Sequence, residues 1–296
     1  MSVDHLRRRA AESGSRVLLV GPDPVRLGAV AEGLRSDGMQ MVGIVGAGDL
    51  VPSRHPRLAS VAGLLRDREP NLVRDGIHAL DLAVEPLRFA VALLALGEVD
   101  AVVAGPGVEP GRLAEAARWT LGPSPDGFPL GSASWIALGE DRLIACVDCY
   151  FDVPEEAGAR AALALAASRE AGRLSGERAR VSFLAGPAQG NPLTAAAALA
   201  AFEALAPGIP ALVDPRVALA GNDPRFRGRA DVLIFPSSTA GYLAVRTMRA
   251  LAGARLLGPV LLGVPGVVAA TSEDADDEEV AGTAALAALL AGRTTS

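Results

Sequence analysis

A chain of 296 residues, 50% hydrophobic and 21% charged, is long and apolar enough to bury a substantial core and is read as about two domains, not as a disordered segment. A formal net charge of −6 and a pI of about 5.2 give it no overall attraction for nucleic acid or anionic membrane. All 28 basic residues are arginine, which excludes Schiff-base lysines, lysine general bases and the phosphate-loop lysine. His5, His55 and His78 stand at no ligand spacing and argue against a His-rich zinc site or a His-based triad, and two cysteines make no disulfide framework, as expected for a reducing cytoplasm.

Residues 1–15 read as a flexible arm. Arg16–Val20 is a short aliphatic run ending at Gly21-Pro22-Asp23-Pro24, a buried strand and a turn. Val25–Leu34 carries apolar residues at helical spacing, and Met39–Val45 is a second strand, so the start of the chain is a βαβ unit. Pro52–Arg74 is Arg-rich and reads as irregular. Glu85-Pro86 opens a helix to Leu96, with proline where its missing N–H costs little. Asp100–Ala104 is a strand, Gly105–Gly107 a turn and Gly111–Trp119 a helix. Ser132–Ala137 and Leu143–Asp148 read as a hairpin through Gly139-Glu140-Asp141.

The rhythm then repeats. Ala157–Leu174 is an Ala-rich helix, Arg180–Ala185 a strand and Gly186–Asn191 a loop; Leu193–Leu205 is helical, and Ala211–Asp214 and Asp231–Phe235 are strands. Pro236-Ser237-Ser238 leads into a helix from Ala240 to Leu251. Val260–Val264 and Val267–Ala270 are strands, and Asp276–Leu290 is the last helix. Continuous apolar strands between helices imply mostly parallel sheets covered on both faces. No segment reads as a signal peptide or a membrane span.

Ligands of parallel α/β sheets bind at the carboxyl ends of strands, here the loops Gly21–Pro24, Gly105–Gly107, Gly186–Asn191, Pro236–Thr239 and Thr271–Asp274. Glycine and proline in such loops also simply punctuate turns. No Gly-x-Gly-x-x-Gly follows the first strand, which leaves a dinucleotide oxidoreductase the weakest reading. Cys146-Val147-Asp148-Cys149 has redox or metal spacing but lies in a strand pattern, where positions three apart point to opposite faces, so two buried cysteines are the better reading. Asp148, ending an apolar strand, needs a partner. The run Ser272-Glu273-Asp274-Ala275-Asp276-Asp277-Glu278-Glu279 is either a metal site or the acidic first turn of a helix, the latter favoured by the helix dipole. His78 reads as a packing residue. Nothing suggests a metal or a bound redox cofactor.

Four segments carry a family resemblance. They are Glu85-Pro86-Leu87-Arg88-Phe89 through Leu96-Gly97-Glu98-Val99-Asp100 into Val102-Val103-Ala104-Gly105; Val147-Asp148-Cys149; Ala230-Asp231-Val232-Leu233-Ile234-Phe235-Pro236 with Ala240-Gly241; and Gly258-Pro259-Val260-Leu261-Leu262-Gly263. Their order and spacing, from Asp81 to Ala288 with a weaker match back to Arg16, resemble the phosphotransacetylase (phosphate acetyl/butyryltransferase) family, of which this chain would be a divergent member. The resemblance implies an α/β fold of two α/β domains with mostly parallel sheets and a cleft between them. The expected layout is 1–142 plus 258–296 as the first domain and 143–257 as an inserted second one. It further implies acyl transfer between CoA and phosphate, a homodimer in the cytoplasm, and acyl-CoA as substrate or ligand with no bound cofactor.

The resemblance also places the site. Counted without gaps after Gly258–Gly263, the family's Ser falls on Ser272, its following Arg on Glu273 and its catalytic Asp on Glu279. Its Ser-Thr-Lys-Gly-Ser phosphate loop falls on Pro187-Ala188-Gln189-Gly190-Asn191. A family Arg falls on Glu115, with Arg112 and Arg118 near but out of register; another corresponds to Arg66. The family's Asn falls on Tyr242 and its Lys on Arg246. The candidate set is therefore Ser272, Glu273 and Glu279 for catalysis, with Arg66, Arg112, Arg118, Gln189, Gly190, Asn191 and Arg246 for substrate. Loss of the Lys and reversal of an Arg to Glu273 weaken anion binding, and imply the alternative of a catalytically degenerate member that binds CoA, an anion or a protein.

Overall fold

The computed structural model describes residues 1–46, 49–140, 142–151, 156–185, 192–213 and 229–292. Contacts divide the chain into two units, one of Val3–Pro123 with Leu257–Ser296 and one of Ser124–Leu256 with Met1–Ser2. The expected first division at 142 differs from this because the strand Gly131–Leu138 pairs antiparallel with Arg142–Val147, and the hairpin keeps both in one unit. Both units are mixed α/β, as the sequence pattern implied.

In the first unit β1 (Arg16–Val20), β2 (Gln40–Val45) and β3 (Ala101–Ala104) are parallel, in the order β2-β1-β3. The sheet continues through β10 (Val267–Ala270), parallel to β3, and β9 (Arg255–Leu262), antiparallel to β10. The helices α2 (Pro24–Ser36), α5 (Pro86–Ala95), α6 (Pro110–Leu121) and α10 (Asp277–Ala291) pack on it, and α3 (Leu58–Arg68) and α4 (Gly76–Ala83) pack in turn on helices of that layer. The helix starts are written in the sequence. Asp23 and Glu85 each accept the backbone N–H three residues on, from Arg26 and Arg88, and a proline follows each as the first helical residue.

Two expectations fail here. Residues 1–15 are no arm: Val3–Ser13 forms α1, which packs on α10 through Val3, Leu6 and Ala10. Those residues recur at helical spacing among the charges that hid the stripe. Pro52–Arg74 is likewise not irregular, since α3 lies inside it and buries Val61, Ala62 and Leu65 while its arginines face solvent.

The second unit orders its strands β4 (Gly131–Leu138), β5 (Arg142–Val147), β8 (Val232–Ile234), β6 (Val181–Phe183) and β7 (Ala211–Leu212), parallel from β5 onward. Among the described residues its helices are α7 (Ala157–Ser175), α8 (Pro192–Leu205) and α9 (Ser238–Ala252). Ile136, Ile144, Cys146, Leu233 and Val245 share its core.

The same device holds register in both units. Arg16 at the start of β1 gives Asp100, just before β3, its backbone N–H at 2.8 Å, Nε at 3.0 Å and Nη2 at 2.9 Å. Arg180, before β6, gives Asp231, before β8, its backbone N–H at 2.8 Å, Nε at 2.8 Å and Nη2 at 2.9 Å. A forked guanidinium on a carboxylate is directional as well as charged, so it sets which residues face one another across parallel strands.

Two outcomes follow for stability. Leu6→Ala removes a fully buried side chain and lowers unfolding free energy by roughly 2–5 kcal/mol in urea titration, where an unattached arm would show no change. Asp100→Ala costs about 1–2 kcal/mol, because the clamp is partly exposed and solvent screens it.

Candidate functional site

The carboxyl edge of the first unit is built around Leu27. A Cβ at Gly21 would lie 2.9 Å from Leu27 Cδ1, and one at Gly105 would lie 2.7 Å from Leu27 Cδ2. These two glycines therefore serve close packing of the strand ends against α2.

Beyond β10 the chain turns sharply. Thr271 N–H and Oγ1 both donate to the Ala104 carbonyl, at 2.9 and 3.3 Å, tying the turn to β3. Ser272 follows, 2% exposed, and its Oγ has no hydrogen-bond partner among the described residues. Its carbonyl accepts Ala275 N–H at 3.1 Å, and Asp276 then caps α10. Ser132, Ser134 and Ser182 also bury hydroxyls without a partner among the described residues, so what sets Ser272 apart is its place beyond the carboxyl end of a parallel strand, where ligands of such sheets bind.

The acidic run is the first turn of α10, as the helix-dipole reading expected. Asp276 Oδ1 accepts Glu279 N–H at 2.8 Å, and Glu279 Oε2 accepts Asp276 N–H at 3.3 Å, a reciprocal capping box. Glu279 is fully buried in this role, so the carboxylate assigned as a base is engaged in holding a helix end. Glu273 is exposed.

The cations assigned to substrate stand elsewhere. Arg66 on α3 is exposed and 3.7 Å from Asp67. Arg112 on α6 is exposed and 3.5 Å from Glu85, and Arg118 is exposed on the same helix. No hydrogen bond joins any of the three to Ser272 among the described residues. The arginine that reaches this turn is Arg26, which the sequence reading missed. Its Nε donates to Asp277 Oδ1 at 2.6 Å and its Nη2 to the Ala275 carbonyl at 2.5 Å. Its place in the first turn after β1 was the available signal. Arg88 was also missed; it lies 4.8 Å over the Trp119 ring and 3.8 Å from Glu115. Gln189, Gly190 and Asn191 lie outside the described residues.

In the second unit Arg246 sits on α9, 5.2 Å over the Tyr242 ring, which meets Tyr150 edge to face at 6.0 Å. Cys146 and Cys149 are both buried free thiols, and Cys149 Sγ donates to the Cys146 carbonyl at 3.4 Å. Burial pushes Cys146 up to about 12 and Cys149 up further, which leaves them as unreactive packing residues. Between them Asp148 is fully buried with φ at 63°, and neither carboxylate oxygen has a hydrogen-bond partner among the described residues. Desolvation raises its pKa to about 7, against the smaller opposing pull of the Arg160 guanidinium. Arg160, 4% exposed, donates Nη2 to the Phe235 carbonyl at 2.7 Å. A lone arginine flanked by alanines in a helix was its signal.

The Asp148 carboxyl sets a pH dependence. Its folded pKa lies above its unfolded one, so the folded state holds a proton that the unfolded state gives up. The associated stability is complete below about pH 4 and is lost as pH rises through about 7. Asp148→Asn removes this dependence and is more stable than the parent above neutrality by on the order of 2–4 kcal/mol, as read from urea midpoints across pH.

Residues 211–288 match the family described as phosphate acetyl/butaryl transferase. A phosphate acetyltransferase of Paracoccus denitrificans is 27% identical over 274 residues, covering 84% of this chain and 86% of that protein. Two solved structures share the fold: the EutD phosphotransacetylase of Staphylococcus aureus, TM-score 0.80 at 19% identity, and a phosphotransacetylase of Streptococcus pyogenes, TM-score 0.81 at 18% identity. Each likeness covers 98% of this chain and 99% of the other. The four sequence segments, the fold and these likenesses agree in supporting membership of the phosphate acetyl/butyryl transferase family.

Proposed function

We propose that the protein transfers an acyl group between CoA sulfur and phosphate, or to a related acceptor. The observation that carries this reading is the buried, partnerless hydroxyl of Ser272 at the carboxyl end of β10. In the forward direction a phosphate oxygen attacks the thioester carbonyl carbon, a C–O bond forms, and the C–S bond breaks to release CoA thiolate, which takes up a proton. The tetrahedral intermediate bears an oxyanion, and the Ser272 O–H is a donor already held in place for it. Likeness to proteins named phosphate acetyltransferase supports acyl-CoA and phosphate as the substrate pair. The reading extends, from the family resemblance of the sequence, to a homodimer working in the cytoplasm.

Glu279 acts in this scheme through the α10 cap that fixes the Ser272 turn, and Arg26 braces the same turn from α2. A second reading has its own observation. The segment after Ser272 presents Glu273 and the exposed first-turn acids Asp277 and Glu278, and no arginine bonds Ser272 among the described residues. Negative charge there disfavours a phosphate, and the second reading is a degenerate member that retains a ligand site.

Thiol release from a panel of acyl-CoAs, with and without phosphate, separates the two. Phosphate-dependent release that falls roughly 10²- to 10³-fold in Ser272→Ala supports acyl transfer through this hydroxyl. Release unaltered in Ser272→Ala removes Ser272 from the site. CoA binding without release, seen by thermal shift, supports the degenerate member.

A further inference from the structure

Asp148 and Arg160 have no part in the acyl-transfer scheme, yet among the described residues they are the charged side chains the second unit buries most deeply. Asp148 ends β5 in a left-handed backbone conformation that glycine or asparagine would adopt more readily. Three elements close on it. From β4, the Ser132 carbonyl accepts Asp148 N–H at 3.1 Å. From α9, Gly241 comes so near that a Cβ there would lie 3.2 Å from the Asp148 carbonyl oxygen and 2.9 Å from Cys149 Sγ. From α7 comes Arg160.

Arg160 has one bonded acceptor among the described residues. Its Nη2 is bonded to the Phe235 carbonyl, and its Nε is buried with no partner among the described residues. The Asp148 carboxylate, the stronger acceptor when ionised, is within its field and is not bonded to it. Phe235 ends β8, and Pro236 and Ser237 lead directly into α9. There Ser237 Oγ accepts Ala240 N–H at 3.2 Å and the Ser237 carbonyl accepts Gly241 N–H at 3.0 Å. The Phe235 carbonyl is thus a handle on the start of the helix that carries Tyr242 and Arg246.

We propose that Asp148 and Arg160 form a proton-controlled positioning device for the start of α9: Arg160 holds the Phe235 carbonyl while Asp148 is protonated, and moves to the Asp148 carboxylate when that proton passes to solvent. The charge balance is simple. A neutral carboxylic acid becomes a carboxylate, the proton enters bulk water, and a charged guanidinium exchanges a neutral acceptor for an anionic one. Arg160 is the one charged group acting on Asp148 among the described residues. On its own strand Cys146 and Cys149 stay neutral through burial. Ser132 and Ser134 on β4 carry no charge. On α9, Tyr242 and Arg246 stack on one another. The device stands on the geometry of the second unit alone. Its consequence, that pH tunes how Arg246 is presented to an anionic substrate, rests on the proposed function.

The test needs no substrate, so it is readable whether or not acyl transfer is observed. Proton–nitrogen NMR spectra of the full chain are recorded from about pH 5 to about pH 9. The Arg160 Nε–H resonance and the Ala240 and Gly241 amides are expected to shift together, with one midpoint near 7. In Asp148→Asn they stay at their acid-end positions across the range, and asparagine suits the left-handed backbone, so this variant keeps the fold. In Arg160→Gln the Asp148 carboxyl, followed by carbon-13, titrates at higher pH and the α9 amides no longer follow it. If Arg160→Gln fails to fold, the parent and Asp148→Asn decide alone. An Arg160 Nε–H that stays fixed while Asp148 titrates, or an Asp148→Asn protein whose amides shift as in the parent, overturns the proposal.

Discussion

Parallel strands have no hairpin to fix how far one slides along the next, and a slip of one residue turns a whole strand's side chains to the opposite face. This chain answers with an Arg–Asp clamp at the amino ends of the parallel strands in each unit, Arg16 with Asp100 and Arg180 with Asp231. In each, the arginine's own backbone N–H joins its guanidinium on a single carboxylate, so the clamp binds backbone to neighbouring strand and not merely charge to charge. Once register is set at the amino edge, the strand ends at the opposite edge arrive at fixed heights. The positions of Ser272 after β10 and of Asp148 after β5 depend on that.

The carboxyl edges are where the chain departs from rules that hold elsewhere in it. Apolar side chains fill the sheet interiors, and Asp23, Asp75, Ser237 and Asp276 cap helix starts with residue types that commonly do so. At the edges stand a hydroxyl without a partner, a carboxyl in a left-handed backbone with neither oxygen bonded, and an arginine inside an alanine helix. Such violations persist only where the surroundings hold them in place, and they concentrate at functional positions. The first turn of α10 shows the converse. A carboxylate at the family's catalytic position is here part of a capping box, so the same residue that matches a chemical role by position fills a structural one by geometry.

Much of the fold was legible in the residues. The alternation of aliphatic runs with helical stripes implied covered, mostly parallel sheets. The β4–β5 hairpin and the buried pair Cys146 and Cys149 were readable from strand alternation. Less legible were α1 and α3, whose apolar stripes are narrow and lie among arginines, so that local composition outweighed periodicity. The candidate site was legible in part. Ser272 was chosen by motif position and is buried, whereas Arg66, Arg112 and Arg118 were chosen for charge and proximity in sequence and lie on exposed helix faces.

The sequence by itself determined what local physics can decide: where strands and helices lie, where helices begin, that lysine chemistry is absent, and that the chain resembles one family. Tertiary structure alone decided which charges are buried and which atoms meet. Arg26 reaches the Ser272 turn across some 250 residues of sequence because α2 and α10 lie side by side on one sheet. The Arg160 charge acts on Asp148 because α7 packs against β5. The energy of a charge depends on its distance to other charges and on its exclusion from water, and neither quantity exists until the chain has closed on itself.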